Sequence, residues 1–319
     1  MTEILRRFDG SQLTLVVNPN AGRGWARRLL PRVCSELVQA MGHVNLKVFP
    51  TTDFAEARLR VIHAVETARP ANNGGIGDAV VVMGGDGMVH LGLNACAETG
   101  VPLGVIPAGT GNDFVRGAGL PTRPIKASRA IAAGHSKLVD LSEVTGNLHG
   151  GAERRWVGSI VSTGYDARVN RRTNALRRSL GQPSYAYCAL SELASFEPLR
   201  YRITTENMSR ELDAMFIAVG NAGFFGGGMR ICPEADVQDG LLDLTIVHPV
   251  SRFTLLRLLP TMFTGGFVKD PAAEFLTARR VEIDGDGLFA MADGEELGGV
   301  PLTVTVRPQA IRLLGASDD

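Results

Sequence analysis

The sequence predicts an α/β protein in which a parallel-sheet domain is followed by an antiparallel β-sandwich domain. Through about residue 135, short apolar runs alternate with amphipathic helical stretches, which indicates parallel strands buried on both faces. Beyond that point, strand-like segments with polar residues alternating on one face predominate, which is typical of antiparallel layers. The chain has 319 residues, 45% of them hydrophobic, so it is long enough to fill two cores.

The first domain, residues 11–134, is predicted to contain strands and helices in alternation. The strands are expected at 13–17, 46–49, 79–83 and 102–107, and the helices at 24–41, 54–68 and 88–98. Parallel strands place their carboxyl ends at one edge of a sheet, and ligands bind beyond that edge. We therefore expect the residues that follow these strands to form the functional site.

The second domain, residues 135–308, is predicted to be rich in antiparallel strands. Strand-like segments lie at 137–144, 155–163, 200–206, 211–220, 241–247, 279–285 and 302–308. Helical stretches are predicted near 165–178, 184–197 and 251–264. Residues 309–319 form a C-terminal segment, and its return to the first domain is left open.

Composition and charge exclude several classes of protein. Lys plus Arg and Asp plus Glu number 33 each, so the net charge is zero and a nucleic-acid partner is not expected. The four cysteines are far apart, which is typical of buried thiols in a cytosolic protein rather than of a zinc site or a disulfide scaffold. The sequence has no export signal and no run of 18 apolar residues. We therefore expect a cytoplasmic protein with at most peripheral membrane contact, and a homodimer is left open.

A glycine-rich loop follows the strand predicted at 79–83. It consists of Gly84, Gly85, Asp86 and Gly87 and leads into a helix. Successive glycines allow backbone N–H groups to converge on a phosphate, and a helix N-terminus adds partial positive charge. A carboxylate would repel a bare phosphate, so its presence indicates a divalent cation between them. The alternative is an ordinary strand-to-helix turn with Asp86 as the helix N-cap.

The next strand ends in a second loop of the same kind, with Gly109, Thr110, Gly111 and Asp113. The first strand leads into "NPNAGRG", which begins at Asn18 and is neither a P-loop nor a G-x-G-x-x-G motif. Two adjacent glycine loops, each with an aspartate, open onto one edge of the sheet. This arrangement favours a triphosphate clamp over two unrelated turns.

Five blocks of sequence together resemble the catalytic domain shared by diacylglycerol kinases and the sphingosine and ceramide kinases. They are "NPNAGRG", "GGDGM", "PAGTGNDFVRGAGLP", "ICPEADVQDGLLDL" and "MADGEELG", and the resemblance spans residues 13–314. The soluble bacterial diacylglycerol kinases are the most similar type. The resemblance implies a phosphofructokinase-like nucleotide domain followed by a β-sandwich, and a lipid kinase that uses ATP and Mg²⁺.

The resemblance also implies roles for the matching residues. The ATP site would be lined by Asn18, Gly84, Gly85, Asp86, Gly87, Gly109, Thr110, Gly111 and Asp113. A catalytic Mg²⁺ would be organised by Asp86, Asp113 and Asp140. A structural Mg²⁺ would be bound by Asp236, Asp239 and the Leu241 carbonyl, for which a plain acidic turn is the alternative. Met88 stands where the family usually has threonine or serine, so one hydroxyl contact near the phosphates is missing.

An alcohol acceptor also needs a general base within hydrogen-bond reach. The block "MADGEELG" supplies two carboxylates around a glycine turn after a short apolar strand. By resemblance, Asp293 would take the proton from the lipid hydroxyl, and Glu295 would hold Asp293 in place. The alternative is a solvent-exposed acidic hairpin.

We therefore expect a kinase that phosphorylates the primary hydroxyl of a membrane lipid, with diacylglycerol converted to phosphatidic acid. The alternatives left open are a sphingoid, ceramide or other lipid kinase, a NAD kinase, and a non-catalytic lipid-binding regulatory module. We expect transient docking on the anionic inner face of the membrane through Arg23, Arg28 and Arg116 near the phosphate loops. The helical stretch 167–181, with five arginines, is a second candidate, and a solvated charged face is its alternative.

Overall fold

The computed structural model describes residues 8, 10–41, 45–70, 75–174, 188, 191–192 and 196–316. The chain divides into two units, of which the first ends at Asp140 and resumes at Pro308. The second comprises Leu141–Arg307. The first unit has a parallel sheet with helices and the second has antiparallel strands, which confirms the predicted fold class.

Helices and strands alternate in the first unit, whereas strands predominate in the second. The first unit contains β1 (Gln12–Val17), α1 (Ala21–Met41), β2 (Asn45–Pro50), α2 (Phe54–Glu66), β3 (Ala79–Gly84), α3 (Asp86–Cys96), β4 (Leu103–Pro107), α4 (Asp113–Gly117) and α5 (Pro124–Ala132). The chain enters the second unit along β5 (Ser136–Leu148). The next elements are β6 (Arg154–Val157), β7 (Ile160–Gly164), α6 (Tyr165–Asn174), β8 (Leu199–Thr205), β9 (Ser209–Ala214), β10 (Phe216–Gly220), β11 (Phe224–Phe225), β12 (Met229–Arg230), β13 (Leu242–Val247), α7 (Arg252–Met262), β14 (Ala273–Ala278), β15 (Arg280–Asp284) and β16 (Phe289–Ala292). Strand β17 (Glu295–Leu314) begins in the second unit and ends in the first.

The sheet of the first unit places the ends of three strands side by side. Its strands pair in the order β17, β4, β3, β1, β2, and all of these pairs are parallel. Val17 at the end of β1 pairs with Met83, and Gly84 at the end of β3 pairs with Pro107 at the end of β4. The predicted meeting of these strand ends at one sheet edge is therefore confirmed.

The second unit is built from antiparallel pairs. Strands β14, β13, β10, β7, β16 and β17 are neighbours in that order, and β15 pairs with both β17 and β8. One apolar core includes Val161, Tyr201 and Leu244. A second core includes Phe216 and Leu255, which lies on α7. Strand β10 is buried on both faces and is apolar throughout, whereas β8 has buried and exposed residues in alternation, as expected for a strand with one face in solvent.

The structure differs from the sequence prediction in a few elements. Segment 155–163 is two strands, because β6 pairs with β5 whereas β7 pairs with β10 and β16. Segment 211–220 is likewise divided into β9 and β10 at Met215. Helix α5 and strand β14 were not predicted, although Pro124 in the first turn of α5 is a recognised start signal. Residues 175–178 and most of the helical stretch predicted at 184–197 lie outside the described residues.

The cysteines are free thiols, in agreement with the prediction. Cys96, Cys188 and Cys232 are buried, and Cys34 is partly buried. Burial raises the pKa of both Cys96 and Cys232 to about 12, so these thiols stay neutral at physiological pH.

The buried carboxylate of Asp78 ties the start of β1 to the start of β3. It accepts hydrogen bonds from the Gln12 N–H at 2.7 Å and from the backbone and guanidinium of Arg69 at 2.9 to 3.0 Å. Burial by itself raises the pKa of Asp78, but the hydrogen bonds from Arg69 and Gln12 outweigh it and hold the pKa below its ordinary value of 3.8. The carboxylate therefore stabilises the fold above its unfolded pKa, and this contribution is lost as pH falls through the folded pKa.

Replacing Asp78 with asparagine is expected to lower the free energy of unfolding by about 2 kcal/mol at neutral pH, because charged hydrogen bonds are lost. The difference from wild type should begin to shrink below the ordinary carboxyl pKa, where the unfolded chain binds the proton, and should be smallest below the folded pKa, where the native carboxyl is protonated too. Urea unfolding of both proteins at neutral and acid pH measures this difference in the free energy of unfolding. Asp213→Asn, at a side chain 56% exposed, is the matched control and should cost less than about 0.5 kcal/mol. A difference that does not shrink in acid contradicts this role.

Candidate active site

Three loops start from the shared edge of β1, β3 and β4. The strand ladder continues into them, because the Asn18 N–H donates to the Met83 carbonyl at 2.9 Å and the Ala108 N–H donates to the Gly84 carbonyl at 2.7 Å. Asn18 Oδ1 accepts a hydrogen bond from the Asn20 N–H at 3.0 Å, which turns the chain after β1. The backbone of the sheet itself therefore fixes where each loop begins.

The loop after β1 contacts the loop after β4 through Gly22, a residue without a side chain. Gly22, Arg23 and Gly24 have φ values of 58°, 59° and 83°, so the chain makes a left-handed turn before the regular part of α1. A methyl group on Gly22 would lie 2.6 Å from the Ala108 carbonyl oxygen. Glycine is thus required here by both conformation and close approach.

The loops after β3 and β4 contact each other backbone to backbone at Gly85 and Gly109. A methyl group on Gly85 would lie 3.2 Å from the Gly109 Cα, and a methyl group on Gly109 would overlap the Gly85 Cα. Neither residue has a positive φ, so close approach rather than backbone conformation requires glycine. The two predicted glycine loops therefore form one continuous backbone surface.

Asp86 binds the neighbouring loop and does not cap its own helix. The N-cap of α3 is Gly85, so the alternative in which Asp86 is the N-cap is wrong. Asp86 Oδ1 accepts a hydrogen bond from the Asp113 N–H at 2.9 Å, and Oδ2 accepts one from the Asn112 N–H at 3.0 Å. These two bonds hold the loop after β4 against the loop after β3.

Asn112 shapes the loop after β4, although it was not among the predicted site residues. Its φ of 56° lies in the left-handed region, which asparagine tolerates better than most residues. Its amide donates to the Gly109 carbonyl at 3.1 Å and accepts from the Gly109 N–H at 3.2 Å. An asparagine within a glycine turn was the available sequence signal.

The carboxylates of Asp86 and Asp113 face the same point beside Gly111. A methyl group on Gly111 would lie 2.5 Å from Asp86 Oδ2 and 3.5 Å from Asp113 Oδ2. Proteins commonly hold Mg²⁺ through one or two carboxylates together with the phosphates of a nucleotide. The two carboxylates and the closely packed glycine loops of this unit therefore fit ATP with Mg²⁺.

The other predicted residues of this edge have varied surroundings. Thr110 is exposed, and Gly87 has open space around it. Met88 is buried, and its side chain packs where a methyl group on Gly84 would lie. Arg116 Nε donates to the Gly111 carbonyl at 3.3 Å, which places this cation at the loop after β4. Arg23 and Arg28 are also exposed, and membrane docking by these three arginines stays a prediction.

Asp140 lies on β5 and is only 2% exposed. Its Oδ1 accepts a hydrogen bond from the N–H of Gln309, a residue with a φ of 54°. This bond joins β5 to β17 within the first unit. A role of Asp140 toward Mg²⁺ stays a prediction.

Asp293 and Gly294 form the two-residue turn between β16 and β17. Their φ values are 49° and 82°, and Ala292 pairs with Glu295 across the turn. Two positive φ values define a type I′ hairpin, for which Asp-Gly is a favoured pair. Asp293 is partly buried, whereas Glu295 is exposed. The structure thus places both predicted catalytic carboxylates on one hairpin, and their roles stay predictions.

A cluster of side chains braces this hairpin. Glu296 on β17 accepts hydrogen bonds from the Arg171 guanidinium at 2.9 and 3.0 Å and lies 3.0 Å from His149 Nε2. The Arg171 guanidinium also stacks on the Phe289 ring of β16, 3.2 Å from its centroid. Burial by itself raises the pKa of Glu296, but His149 and Arg171 outweigh it and lower the pKa. Arg171 therefore contacts both strands of the hairpin, a link that the sequence analysis missed.

The residues predicted to bind a structural Mg²⁺ lie in the loop before β13. Asp236 Oδ1 accepts a hydrogen bond from the Gln238 N–H at 3.0 Å, and Asp239 Oδ1 accepts one from the Leu241 N–H at 2.9 Å. Burial and then neighbouring carboxylates raise the pKa of Asp243 to about 6. Among the described residues, no group of three or more His, Cys, Asp or Glu side chains is arranged to hold a metal ion. The second Mg²⁺ stays a prediction.

The arginine-rich stretch 167–181 is only partly described, as helix α6. Arg168 and Arg172 pair with Glu192 at 3.8 and 3.4 Å, and Arg171 pairs with Glu296. Arg177 and Arg178 lie outside the described residues. These ion pairs favour a structural role for the described arginines over membrane docking.

Two family models match the chain. Residues 12–144 match the diacylglycerol kinase catalytic domain, and residues 159–315 match the YegS C-terminal NAD kinase beta sandwich-like domain. The first match covers the three loops at the edge of the parallel sheet. The second covers the Asp293 hairpin.

Individual proteins resemble the chain over most of its length. The diacylglycerol kinase of Mycobacterium tuberculosis (strain ATCC 25618 / H37Rv) is 34% identical over 312 residues, which is 97% of each chain. The "Probable lipid kinase YegS-like" of Stenotrophomonas maltophilia (strain K279a) is 32% identical over 228 residues, covering 66% of this chain and 69% of that protein. A crystal structure of a diacylglycerol kinase from Bacillus anthracis str. Sterne has a TM-score of 0.70 at 21% identity, covers 95% of this chain and 96% of that one, and shows the same fold.

The diacylglycerol kinase family model and the relative that is 34% identical over 97% of both chains define the class of this protein as lipid kinases of the diacylglycerol kinase type. The chain belongs to this family, whose members among its relatives carry the names diacylglycerol kinase and YegS-like lipid kinase. The resemblance expected from the five sequence blocks is therefore confirmed. Membership of a kinase family implies a transferase that uses ATP.

Proposed function

We propose that this chain transfers the γ-phosphoryl group of ATP to the primary hydroxyl of diacylglycerol, giving phosphatidic acid and ADP. The observation that carries the proposal is 34% identity to a diacylglycerol kinase over 97% of both chains. The joined glycine loops at Gly85 and Gly109, with two carboxylates beside them, support the ATP-binding part of the proposal. We place the reaction in the cytoplasm at the inner face of the membrane, where ATP meets the lipid.

The loops of the first unit are assigned to the nucleotide. Their glycines carry no side chain that would keep a triphosphate away from the backbone, and phosphoryl transfer depends mainly on positioning and on neutralising charge. Asp86 and Asp113 are the residues that would hold Mg²⁺, and Asp140 would act on it through water. When bound, Mg²⁺ would neutralise negative charge on the triphosphate. A second Mg²⁺ at Asp236, Asp239 and the Leu241 carbonyl is proposed as structural.

The carboxylate of Asp293 is assigned to the proton of the acceptor. In the transfer step the lipid hydroxyl oxygen forms a bond to the γ-phosphorus, while the bond from that phosphorus to the bridging oxygen of ADP breaks. The hydroxyl proton passes to Asp293, and ADP is the leaving group. The type I′ turn fixes the backbone that carries this carboxylate, and Glu295 is assigned to orient it.

A different lipid acceptor is the second candidate, because YegS-like lipid kinases are also among the relatives. The test is to incubate the purified chain with labelled ATP, Mg²⁺ and a panel of diacylglycerol, monoacylglycerol, sphingosine, ceramide and NAD⁺. Phosphatidic acid is the expected major product. A larger yield from ceramide or sphingosine, or NADP⁺ formation, moves the assignment to that acceptor. ATP binding without any phosphorylated product supports a non-catalytic module instead.

A further inference from the structure

Helix α7 of the second unit has two apolar faces, and only one of them is buried. Leu255, Leu258 and Met262 are at most 3% exposed and belong to a core of this unit. Phe253 is 79% exposed and Leu256 is 40% exposed. Their spacing places these two on the face opposite the core.

The apolar surface continues beyond the end of the helix. Phe263 at the helix C-cap is 46% exposed and lies seven residues, or about two turns, after Leu256, which places these two on the same side of the helix. Val268, in the following single helical turn, is 38% exposed. Large exposed apolar side chains that are close together are unusual on a protein surface and mark sites of contact.

This region also concentrates positive charge. Residues 251–269 include Arg252, Arg257 and Lys269 and contain no Asp or Glu, whereas the whole chain has a net charge of zero. Arg257 pairs with Asp270 at 3.0 Å. Arg252 and Lys269 are exposed, and in the sequence they stand directly before Phe253 and directly after Val268.

The dimensions fit a helix that lies in a membrane interface. Eleven residues make a helix about 16 Å long, against roughly 30 Å for the hydrocarbon core of a bilayer. No helix within the described ranges is long and apolar enough to cross a membrane. A short helix with an apolar face and flanking cations is the form in which proteins bind the interfacial zone.

We propose that Phe253, Leu256, Phe263 and Val268, together with Arg252 and Lys269, dock this protein on an anionic lipid bilayer. These six residues are called the α7 surface. The proposal rests on the proposed function in one respect, since a lipid acceptor has to be reached in a membrane. A second copy of the chain is a poorer partner, because a two-fold interface would bring the cations of one α7 surface against the same cations of the other.

The test is sedimentation with vesicles, without ATP or diacylglycerol. Vesicles that contain phosphatidylglycerol are compared with vesicles of phosphatidylcholine alone, for wild type, Phe253→Ser/Phe263→Ser and Arg252→Ser/Lys269→Ser. We expect the first variant to weaken binding by at least about tenfold, through lost apolar burial. We expect the second to weaken binding to the anionic vesicles by about fivefold or more and to leave binding to phosphatidylcholine unchanged. Leu59→Ser, at another exposed leucine, on α2, is the matched control and should bind as wild type.

Thermal unfolding and turnover of short-chain diacylglycerol in detergent micelles should match wild type for both surface variants. Vesicle binding that is unchanged in the surface variants, or weakened equally by Leu59→Ser, overturns the proposal. So does a shift of Phe253→Ser/Phe263→Ser from dimer to monomer without loss of vesicle binding, since a second copy would then cover the α7 surface. If the surface variants lose vesicle binding but wild type phosphorylates no lipid, the docking proposal stands and the proposed function fails.

Discussion

Replacing Asp293 with asparagine is expected to lower kcat by about 10²- to 10⁴-fold, the range for loss of a general base. The amide has nearly the same shape as the carboxylate but cannot accept the hydroxyl proton. The backbone should keep its conformation, because asparagine tolerates the φ of 49° found at this position. Asn-Gly is also a preferred type I′ turn, so the hairpin between β16 and β17 should form as before.

The measurement is steady-state kinetics with diacylglycerol as acceptor, accompanied by thermal unfolding of the same preparations. Asp213→Asn, an exposed aspartate elsewhere in the second unit, serves as the matched control and should keep wild-type kcat. Alanine is a poorer choice at position 293. A left-handed backbone conformation at a residue other than Gly, Asn or Asp costs about 1 to 2 kcal/mol of stability. A kcat for Asp293→Asn close to that of wild type would remove the residue from the proton-transfer role.

Replacing Gly109 with alanine is expected to weaken ATP binding by about 100-fold, the effect of losing one or two hydrogen bonds to a charged phosphate. The added methyl group would overlap the Gly85 Cα, and the contact is between two backbones, so no side chain can rotate away. The loops after β3 and β4 must then separate. The two loops would then no longer form the single backbone surface that is proposed to bind the triphosphate.

Calorimetric titration with ATP and Mg²⁺ measures this loss. Gly266→Ala is the matched control, because its nearest heavy atoms would be 3.5 Å from the new methyl group, an ordinary contact distance. We expect this control to bind ATP as wild type does. Normal ATP affinity in Gly109→Ala would show that the joined loops are not the phosphate cradle.

The arrangement of the first unit was readable from the sequence because it follows from strand order. Short apolar runs ending in glycines at 84 and 109 predict parallel strands and loops at one edge, and the register of β3 with β4 confirms this. The contacts between these loops could not be predicted from the sequence. The contact of Gly85 with Gly109, and the bonds from Asn112 and Asp113 to Asp86, join residues 24 to 27 positions apart, and glycine and aspartate serve equally well in ordinary turns.

The second unit was less predictable for a related reason. Alternation of polar and apolar residues identifies strands but not their partners, so the divisions at 158–159 and Met215 appear only once the pairing is known. The Asp293-Gly294 turn is a strong local signal, and it was recognised as a glycine turn with two carboxylates. Its brace was missed, because Arg171 and Glu296 are separated by 125 residues, and no local pattern in either segment shows that the two side chains pair.

The central claim is that nucleotide binding and proton transfer depend on different residues, the glycine loops for the first and Asp293 for the second. The ATP dissociation constants of Gly109→Ala and Asp293→Asn, measured side by side, test it most directly. We predict that Gly109→Ala loses about 100-fold in affinity for ATP. Asp293→Asn should stay within about threefold of wild type, because a group that acts only in the transition state does not contribute to ground-state binding. Equal weakening in both variants, or none in either, would contradict the account.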